Sequence, residues 1–209
     1  GQLTLHDRQR HGDVLAYVGS SGDLSGASAV DGAAALRQPG STLKPFLYGV
    51  AIEQRWLTAA SLLDDSPLAL TTPNGLYIPQ NYERDFKGAI SVRSALAASL
   101  NVPAVRTLQL VGVERFQQTL QSFGLSSVKH DGEYYGYGLA LGGGDTSLLA
   151  LTNAYRALAH GGVWSPTHFR IDNVAGDGGE RARVLSAEAS FIVSDMLADS
   201  TARAPTFGL

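Results

Sequence analysis

A serine and a lysine three residues apart, Ser41 and Lys44, have the residue types for nucleophilic catalysis. Pro39 and Gly40 favour a turn before them and the apolar run 46–52 follows, so the pair is predicted at the start of a helix. Residues three apart in a helix share a face, and a lysine whose pKa is lowered by burial can accept the serine proton. Amide N–H groups of the first turn favour the oxyanion of acyl transfer.

A second pair, Ser99 and Asn101, lies at the end of a helical run predicted from 91 to 99. At a helix end both side chains can turn into a cleft. There Ser99 can hydrogen-bond Lys44 and relay a proton, while Asn101 can hold a substrate amide. Each motif alone is also explained by ordinary helix capping, since Ser-x-x-Lys and a terminal Asn are common. The two motifs in this order favour the catalytic interpretation.

The two motifs resemble those of penicillin-binding proteins and serine β-lactamases, whose signature is Ser-x-x-Lys, Ser-x-Asn and Lys-Thr-Gly in that order. The surrounding residues are similar to the transpeptidase domain of class A penicillin-binding proteins. That similarity is most specific in the segments 79–88, 93–105, 139–147 and 151–162. The Ser-Thr-Leu-Lys-Pro-Phe segment at 41–46 most resembles the 1C branch, and the likeness covers essentially the whole chain.

This resemblance implies an α/β (α+β) fold in which a helical cluster packs on an antiparallel sheet, with Ser41 in the cleft between them. It implies a peptidoglycan DD-transpeptidase that uses no cofactor and binds stem peptides and β-lactams. In that chemistry Ser41 attacks the penultimate D-Ala carbonyl and Lys44 accepts its proton, although the base is disputed in the superfamily. Ser99 passes the proton towards the leaving group, and Asn101 orients the acyl amide.

The third motif of the signature does not occur in this sequence. The only lysines are Lys44, Lys87 and Lys129, and none precedes Thr-Gly or Ser-Gly. We therefore expect residues 1–209 to be a partial transpeptidase domain that lacks the Lys-Thr-Gly strand and is catalytically poor alone. By family analogy that strand supplies a cation for the substrate carboxylate and a second oxyanion N–H. The family also implies a parent protein at the periplasmic side of the inner membrane, with an N-terminal anchor and a glycosyltransferase domain.

Composition fits one extracytoplasmic domain. The chain has 209 residues, of which 44% are hydrophobic, enough for a sizeable core. A net charge of −3 gives no electrostatic case for binding nucleic acid or an anionic membrane. No apolar run approaches 18 residues, so the chain itself is expected to be soluble. The absence of cysteine excludes disulfides and thiolate metal sites, and the five histidines show no metal-ligand pairing.

Two other functional classes stay open from the sequence. A β-lactamase or β-lactam-sensing domain shares the motifs and would be revealed by rapid deacylation or a linked signalling segment. A noncatalytic domain that binds the cell wall or acts as a scaffold is compatible with the missing third motif. The family resemblance outside the motifs favours the transpeptidase over both.

The pattern of apolar and turn residues also predicts the secondary structure. Strands 3–6 and 14–18 form a hairpin, a short helix begins near 59, and 64–87 is a long irregular connection pinned by Pro79, Asn81 and Tyr82. The glycines at 142–144 form a tight turn before a helix capped by Asp145. The predicted helices are 41–56, 92–100, 103–111, 113–123, 146–160 and 187–197, and the predicted late strands are 169–171 and 183–185.

Overall fold

The structure is a computed structural model that describes residues 12–24, 26–73, 75–169 and 180–208. Its central helix, α1 (Lys44–Glu53), is buried from Lys44 to Ile52 because its sequence is apolar on every face. A 3₁₀ helix, Gly40–Leu43, leads directly into it. Pro45 fits the first turn of α1, where no intrahelical acceptor is needed for an N–H. The predicted helix from 41 is therefore confirmed, with its first turn wound more tightly.

Seven further α-helices follow within the described residues. They are α2 (Val92–Ala97), α3 (Asn101–Val111), α4 (Val113–Ser122), α5 (Gly132–Tyr135), α6 (Leu148–Ala159), α7 (Ala187–Ala198) and α8 (Ser200–Phe207). Two more 3₁₀ helices are Gly22–Leu24 and Gly136–Leu141. Helix α1 packs against α3 and α7. Phe46 of α1 is fully buried and makes edge contacts with Phe123 and Tyr155, at ring-centroid distances of 4.8 and 5.1 Å.

The strands described form three separate antiparallel pairs. They are β1 (Leu62–Asp65) with β4 (Gly88–Ser91), β2 (Leu70–Thr72) with β3 (Gly75–Tyr77), and β5 (Val163–Trp164) with β6 (Ala182–Arg183). In the first pair Leu62 lies opposite Ser91 and Asp65 opposite Gly88. The predicted fold class is confirmed as helix-rich with antiparallel pairing. Among the described residues the strands form three two-stranded sheets and no larger sheet.

Four local predictions need correction. Residues 14–18 form no strand; only Asp13 makes an isolated bridge, to His168, and the side chains of Leu15, Tyr17 and Val18 are exposed. The chain near 59 turns into β1, and the predicted irregular connection contains the β2–β3 hairpin. The cap of α6 is Ser147, whose hydroxyl accepts from Ala150 N at 3.1 Å. The predicted strand 3–6 and residues 170 and 171 lie outside the described residues.

Helix α8 was not anticipated by the sequence pattern, because Pro205 lies inside it. Asp199 caps it by accepting from Ala202 N at 2.9 Å. Arg93 on α2 binds the carboxylates of both Asp195 and Asp199, at 2.5 and 3.0 Å, and so ties α2 to the junction of α7 and α8. Throughout the described ranges, every helix is too short or too polar to cross a membrane.

Candidate active site

Ser41 lies in the 3₁₀ helix Gly40–Leu43, and its side chain is exposed to a cavity of about 890 Å³. The same cavity is lined by Ser99 and Asn101 on one side and by Phe207 of α8 on another. Three of the four predicted site residues therefore reach one surface. Lys44, the fourth, lies beneath it and is fully buried.

The 3₁₀ helix that carries Ser41 is held by the segment between residues 142 and 155. Arg37 and Thr146 exchange two backbone hydrogen bonds of 3.0 and 2.9 Å just before it. The hydroxyl of Tyr155, on α6, donates to the Thr42 carbonyl at 2.8 Å. Burial raises the pKa of Tyr155 to about 12, so this hydroxyl stays protonated and available as a donor. The backbone around the serine is thus fixed on both sides.

Gly142 packs directly against the backbone of Gly40. It ends the 3₁₀ helix Gly136–Leu141 with φ at 88°, in the left-handed region. A Cβ on this residue would overlap the N, Cα and O atoms of Gly40. Only glycine permits both this conformation and this approach. The predicted tight turn therefore also supports the residue that precedes Ser41.

Lys44 directs its amine at the turn between α2 and α3. Nζ donates to the Ser99 carbonyl at 2.6 Å, to Ser99 Oγ at 3.3 Å and to Asn101 Oδ1 at 2.7 Å. An ammonium has three donor hydrogens, so these acceptors satisfy it fully. The Ser41 hydroxyl is not among the acceptors found in the described chain. The predicted contact between Lys44 and Ser99 is present, whereas a hydrogen bond between Lys44 Nζ and the Ser41 hydroxyl is not found in the described chain.

Ser99 occupies a position that usually belongs to glycine. Helix α2 ends in a Schellman motif, in which Ser99 N donates to Leu96 O and Leu100 N donates to Ala95 O, both at 3.0 Å. Ser99 has φ at 55°, a left-handed conformation that strains a residue with a Cβ. This conformation presents both its carbonyl and its hydroxyl to Lys44. A serine is strained here, but glycine would lack the hydroxyl.

Asn101, the first residue of α3, has both ends of its amide engaged. Oδ1 accepts from Lys44, and Nδ2 donates to the Gln80 carbonyl at 2.8 Å. Because Nδ2 carries two hydrogens, one bond to Gln80 leaves a second donor on the cavity side. The side chain can therefore bridge the buried lysine and a group bound in the cavity.

Burial lowers the pKa of Lys44 from 10.5 to about 7. The charged form is penalised because the amine has been removed from water. Its hydrogen-bond acceptors are neutral, and none of the described carboxylates forms an ion pair with it. Near neutral pH a substantial fraction of Lys44 is consequently the free amine, which is the form that can accept a proton.

We expect the Lys44 amine to titrate near pH 7 in the folded chain. Carbon-13 NMR of protein labelled at lysine Cε should show one of three signals moving with a midpoint of about 7. Lys44 is an ammonium below that pH and neutral above it. Lys87 provides the internal control, because Asp85 raises its pKa and holds it charged. The Lys44 signal is assigned by its loss in Lys44→Met. If that signal shows an ammonium group up to pH 10, this expectation is contradicted.

Several residues that shape the site were not identified as site residues from the sequence. Gly142 and Gln80 act on it through their backbone, and Tyr155 acts through its hydroxyl. The only signal for them was their place in the segments that resemble the family, which assigned them no role. In the described ranges, no group of three or more His, Asp or Glu residues is arranged to bind a metal ion.

A cavity serine at the start of a buried helix, followed one turn later by a buried lysine, is typical of the serine–lysine class of acyl-transfer domains. A sequence model of the penicillin-binding protein transpeptidase domain matches residues 6–206. The chain belongs to this family. The resemblance inferred from the motifs is confirmed.

Individual relatives agree with this assignment. Penicillin-binding protein 1C of Escherichia coli K12 is 34% identical over 198 residues, which are 94% of this chain and 25% of the relative. Penicillin-binding protein 1A of Neisseria meningitidis serogroup A is 37% identical over 143 residues, 67% of this chain and 17% of the relative. The crystal structure of penicillin-binding protein 1A from Haemophilus influenzae superposes with a TM-score of 0.71 at 25% identity, over 87% of this chain and 32% of that one. The chain thus spans a quarter or less of these two curated relatives.

Proposed function

We propose that this chain is the nucleophile-bearing part of a peptidoglycan DD-transpeptidase, with Ser41 as nucleophile and Lys44 as its base. The substrate is a stem peptide that ends in D-Ala-D-Ala, and β-lactams acylate the same serine. The observation that carries the proposal is the hydrogen-bonded cluster of Lys44, Ser99 and Asn101, in which Ser99 and Asn101 line the same cavity as Ser41, in a domain of this family.

The reaction has two acyl-transfer steps. Ser41 Oγ attacks the penultimate D-Ala carbonyl carbon and loses its proton to Lys44. The C–N bond then breaks, and the departing D-Ala amine takes a proton through Ser99, which leaves an ester on Ser41. An amine of a second stem attacks this ester and loses a proton to Lys44. The ester C–O bond then breaks, and Lys44 returns a proton to Ser41 Oγ. In a β-lactam the same attack opens the ring, and the leaving nitrogen remains attached to the acyl group.

The hydrogen bonds of Lys44 support the proposal that one lysine serves both directions of proton transfer. Neutral Lys44 has a lone pair and two hydrogens, so it can keep the two short bonds to the Ser99 carbonyl and Asn101. The longer contact, 3.3 Å to Ser99 Oγ, can then reverse so that the hydroxyl donates to Nζ. Ser99 thereby connects the lysine to the cavity. The second Nδ2 hydrogen of Asn101 is a donor for the acyl amide carbonyl.

We further propose that these 209 residues act within a longer chain. That chain continues through a Lys-Thr-Gly strand, which supplies the carboxylate-binding cation and a second oxyanion donor. It is held at the periplasmic side of the inner membrane by an N-terminal anchor and also carries a glycosyltransferase domain. The support for this proposal is that the chain matches only 25% of the 1C relative's length. Below, "extended chain" means these residues continued through the Lys-Thr-Gly motif.

A stem-peptide exchange assay tests the proposed function. The extended chain is incubated with a peptide ending in D-Ala-D-Ala and a labelled D-amino acid, and the products are separated by mass spectrometry. We expect loss of terminal D-Ala and incorporation of the labelled amine, both blocked by prior penicillin treatment. Penicillin hydrolysis without peptide exchange would identify a β-lactamase and contradict the proposal. Peptide binding without either reaction would identify a noncatalytic domain.

A further inference from the structure

Asp65 and Asn81 form a buried polar pair beside the site. The proposed mechanism does not use this pair. Asp65 is fully buried and Asn81 is 3% exposed. Asn81 Nδ2 donates to both carboxylate oxygens of Asp65, at 2.8 and 3.0 Å, and to the Asp85 carbonyl at 2.9 Å. The backbone N–H of Lys87 also donates to Asp65, at 2.8 Å. No cation among the described residues forms a salt bridge with this carboxylate, so these hydrogen bonds are the main compensation for its burial.

The other end of the Asn81 amide caps α3. Its Oδ1 accepts from the backbone N–H of Asn101 at 2.9 Å and of Val102 at 3.2 Å. Leu100 stands at the N-cap position of α3 and has no side-chain oxygen to do this. The first amides of a helix need an external acceptor. Asn81 provides it from a loop some twenty residues earlier in the chain.

The residue next to Asn81 fixes the side chain of Asn101. The Gln80 carbonyl accepts only hydrogen, so it selects the Nδ2 end of the Asn101 amide. Oδ1 of Asn101 must then face the opposite way, where it meets Lys44 Nζ at 2.7 Å. If the loop moved, the amide could rotate and present a donor to the lysine.

Asp65 selects the orientation of Asn81 by the same logic. A carboxylate only accepts, so it requires Nδ2 of Asn81 and leaves Oδ1 for the α3 amides. A neutral amide at position 65 no longer excludes the reverse orientation, in which Nδ2 of Asn81 faces the N–H groups of the helix terminus. The Asp85 carbonyl is then the remaining acceptor that favours the original orientation. Asp65 therefore orients the Asn81 amide, which caps α3 at Asn101. Asn101 in turn presents its oxygen to Lys44.

We infer that Asp65 and Asn81 are positioning residues, which set the Asn101 amide so that its oxygen faces Lys44 and its nitrogen faces the cavity. The inference rests on the proposed function, which gives Lys44 and Asn101 their catalytic roles. Neither residue needs to touch the substrate. Their contribution is to keep a donor available for the acyl amide and an acceptor available for the lysine.

The test compares Asp65→Asn with the double variant Asp65→Asn/Asn81→Asp. In the single variant the amide oxygen at position 65 can replace only one of the two carboxylate oxygens, so the new amide nitrogen faces a donor, either Nδ2 of Asn81 or the backbone N–H of Lys87. In the double variant the carboxylate at position 81 accepts from the helix amides and from the new amide at position 65. It can no longer donate to the Asp85 carbonyl, so recovery is expected to be incomplete. We expect Asp65→Asn to slow β-lactam acylation of the extended chain about 30-fold, and the double variant to recover to within about 5-fold of the original.

The matched control is Asp64→Asn, which changes the adjacent carboxylate on β1. Asp64 is more than half exposed and pairs with Arg106 at 2.9 Å, outside the chain of contacts to Lys44. Its substitution should leave acylation unchanged within about 2-fold. A double variant that acylates no faster than Asp65→Asn, whether or not the single variant folds, would overturn the inference.

A second readout separates this inference from the proposed function. The side-chain amide signals of Asn101 in a proton–nitrogen NMR spectrum of the 209-residue chain report its hydrogen bonds directly. We expect them to shift in Asp65→Asn and to return in the double variant. If they do so while no variant is acylated, the proposed function fails and the positioning role stands. If they do not move in Asp65→Asn, the positioning role is wrong, whatever the acylation rates.

Discussion

Replacement of Lys44 by methionine should slow acylation of Ser41 by a β-lactam about a thousandfold, a loss of about 4 kcal/mol of transition-state stabilisation. Methionine has a similar length and can occupy the buried site, but it cannot accept a proton. A pKa of about 7 makes Lys44 suited to this role at neutral pH. The measurement is the acylation rate constant of the extended chain, determined with a fluorescent penicillin.

Two further variants make this result interpretable. Lys44→Arg keeps the positive charge but cannot become neutral, so it should be as slow as Lys44→Met. Lys87→Met removes an exposed lysine that pairs with Asp85, and it should acylate at the original rate. Acylation of a folded Lys44→Met protein within tenfold of the original rate would show that another group takes the Ser41 proton.

Substitution of Gly142 by alanine should reduce acylation about a hundredfold and destabilise the fold by about 2 kcal/mol. Its left-handed φ strains any residue with a Cβ, and the added carbon overlaps the Gly40 backbone. Relief of that overlap must move the 3₁₀ helix that carries Ser41. Acylation kinetics and urea unfolding of the extended chain measure the two effects.

Gly138 offers a control because it lies in the 3₁₀ helix Gly136–Leu141, which Gly142 ends. A Cβ there would have no atom within 4 Å, and its φ is not in the left-handed range. Gly138→Ala should therefore keep normal acylation and change the free energy of unfolding by no more than about 0.5 kcal/mol. If Gly142→Ala and Gly138→Ala behave alike, the contact with Gly40 does not position the nucleophile.

The site was predictable from the sequence where it depends on local spacing. Ser41 and Lys44 are neighbours along one stretch of chain, and an apolar run after a turn was sufficient to place them at a helix start. The backbone conformation of Ser99 was harder to predict, since serine rarely adopts a left-handed φ and the pattern indicated a helix to residue 99. Its orientation towards Lys44 depends on the Schellman motif that ends α2.

The remaining differences come from contacts between distant segments. Asn81 caps α3 with its side-chain oxygen, and Gly142 packs on Gly40; in both cases the partner is a backbone group, which carries no residue-type signal. Residues 14–18 alternate like a strand, but strand formation needs a partner ladder, and in the described chain they have only the bridge at Asp13. The local pattern thus predicts most helices. Contacts between segments that are distant in the sequence determine which strands form and how the site residues are held in place.

Intact mass after incubation with penicillin tests the central claim most directly. The extended chain should gain the mass of one penicillin, and Ser41→Ala should gain none while keeping its folded circular dichroism spectrum. Peptide mapping should place the adduct on Ser41. An unmodified extended chain that is folded, or an adduct that persists in Ser41→Ala, would contradict the assignment of Ser41 as the acylated nucleophile.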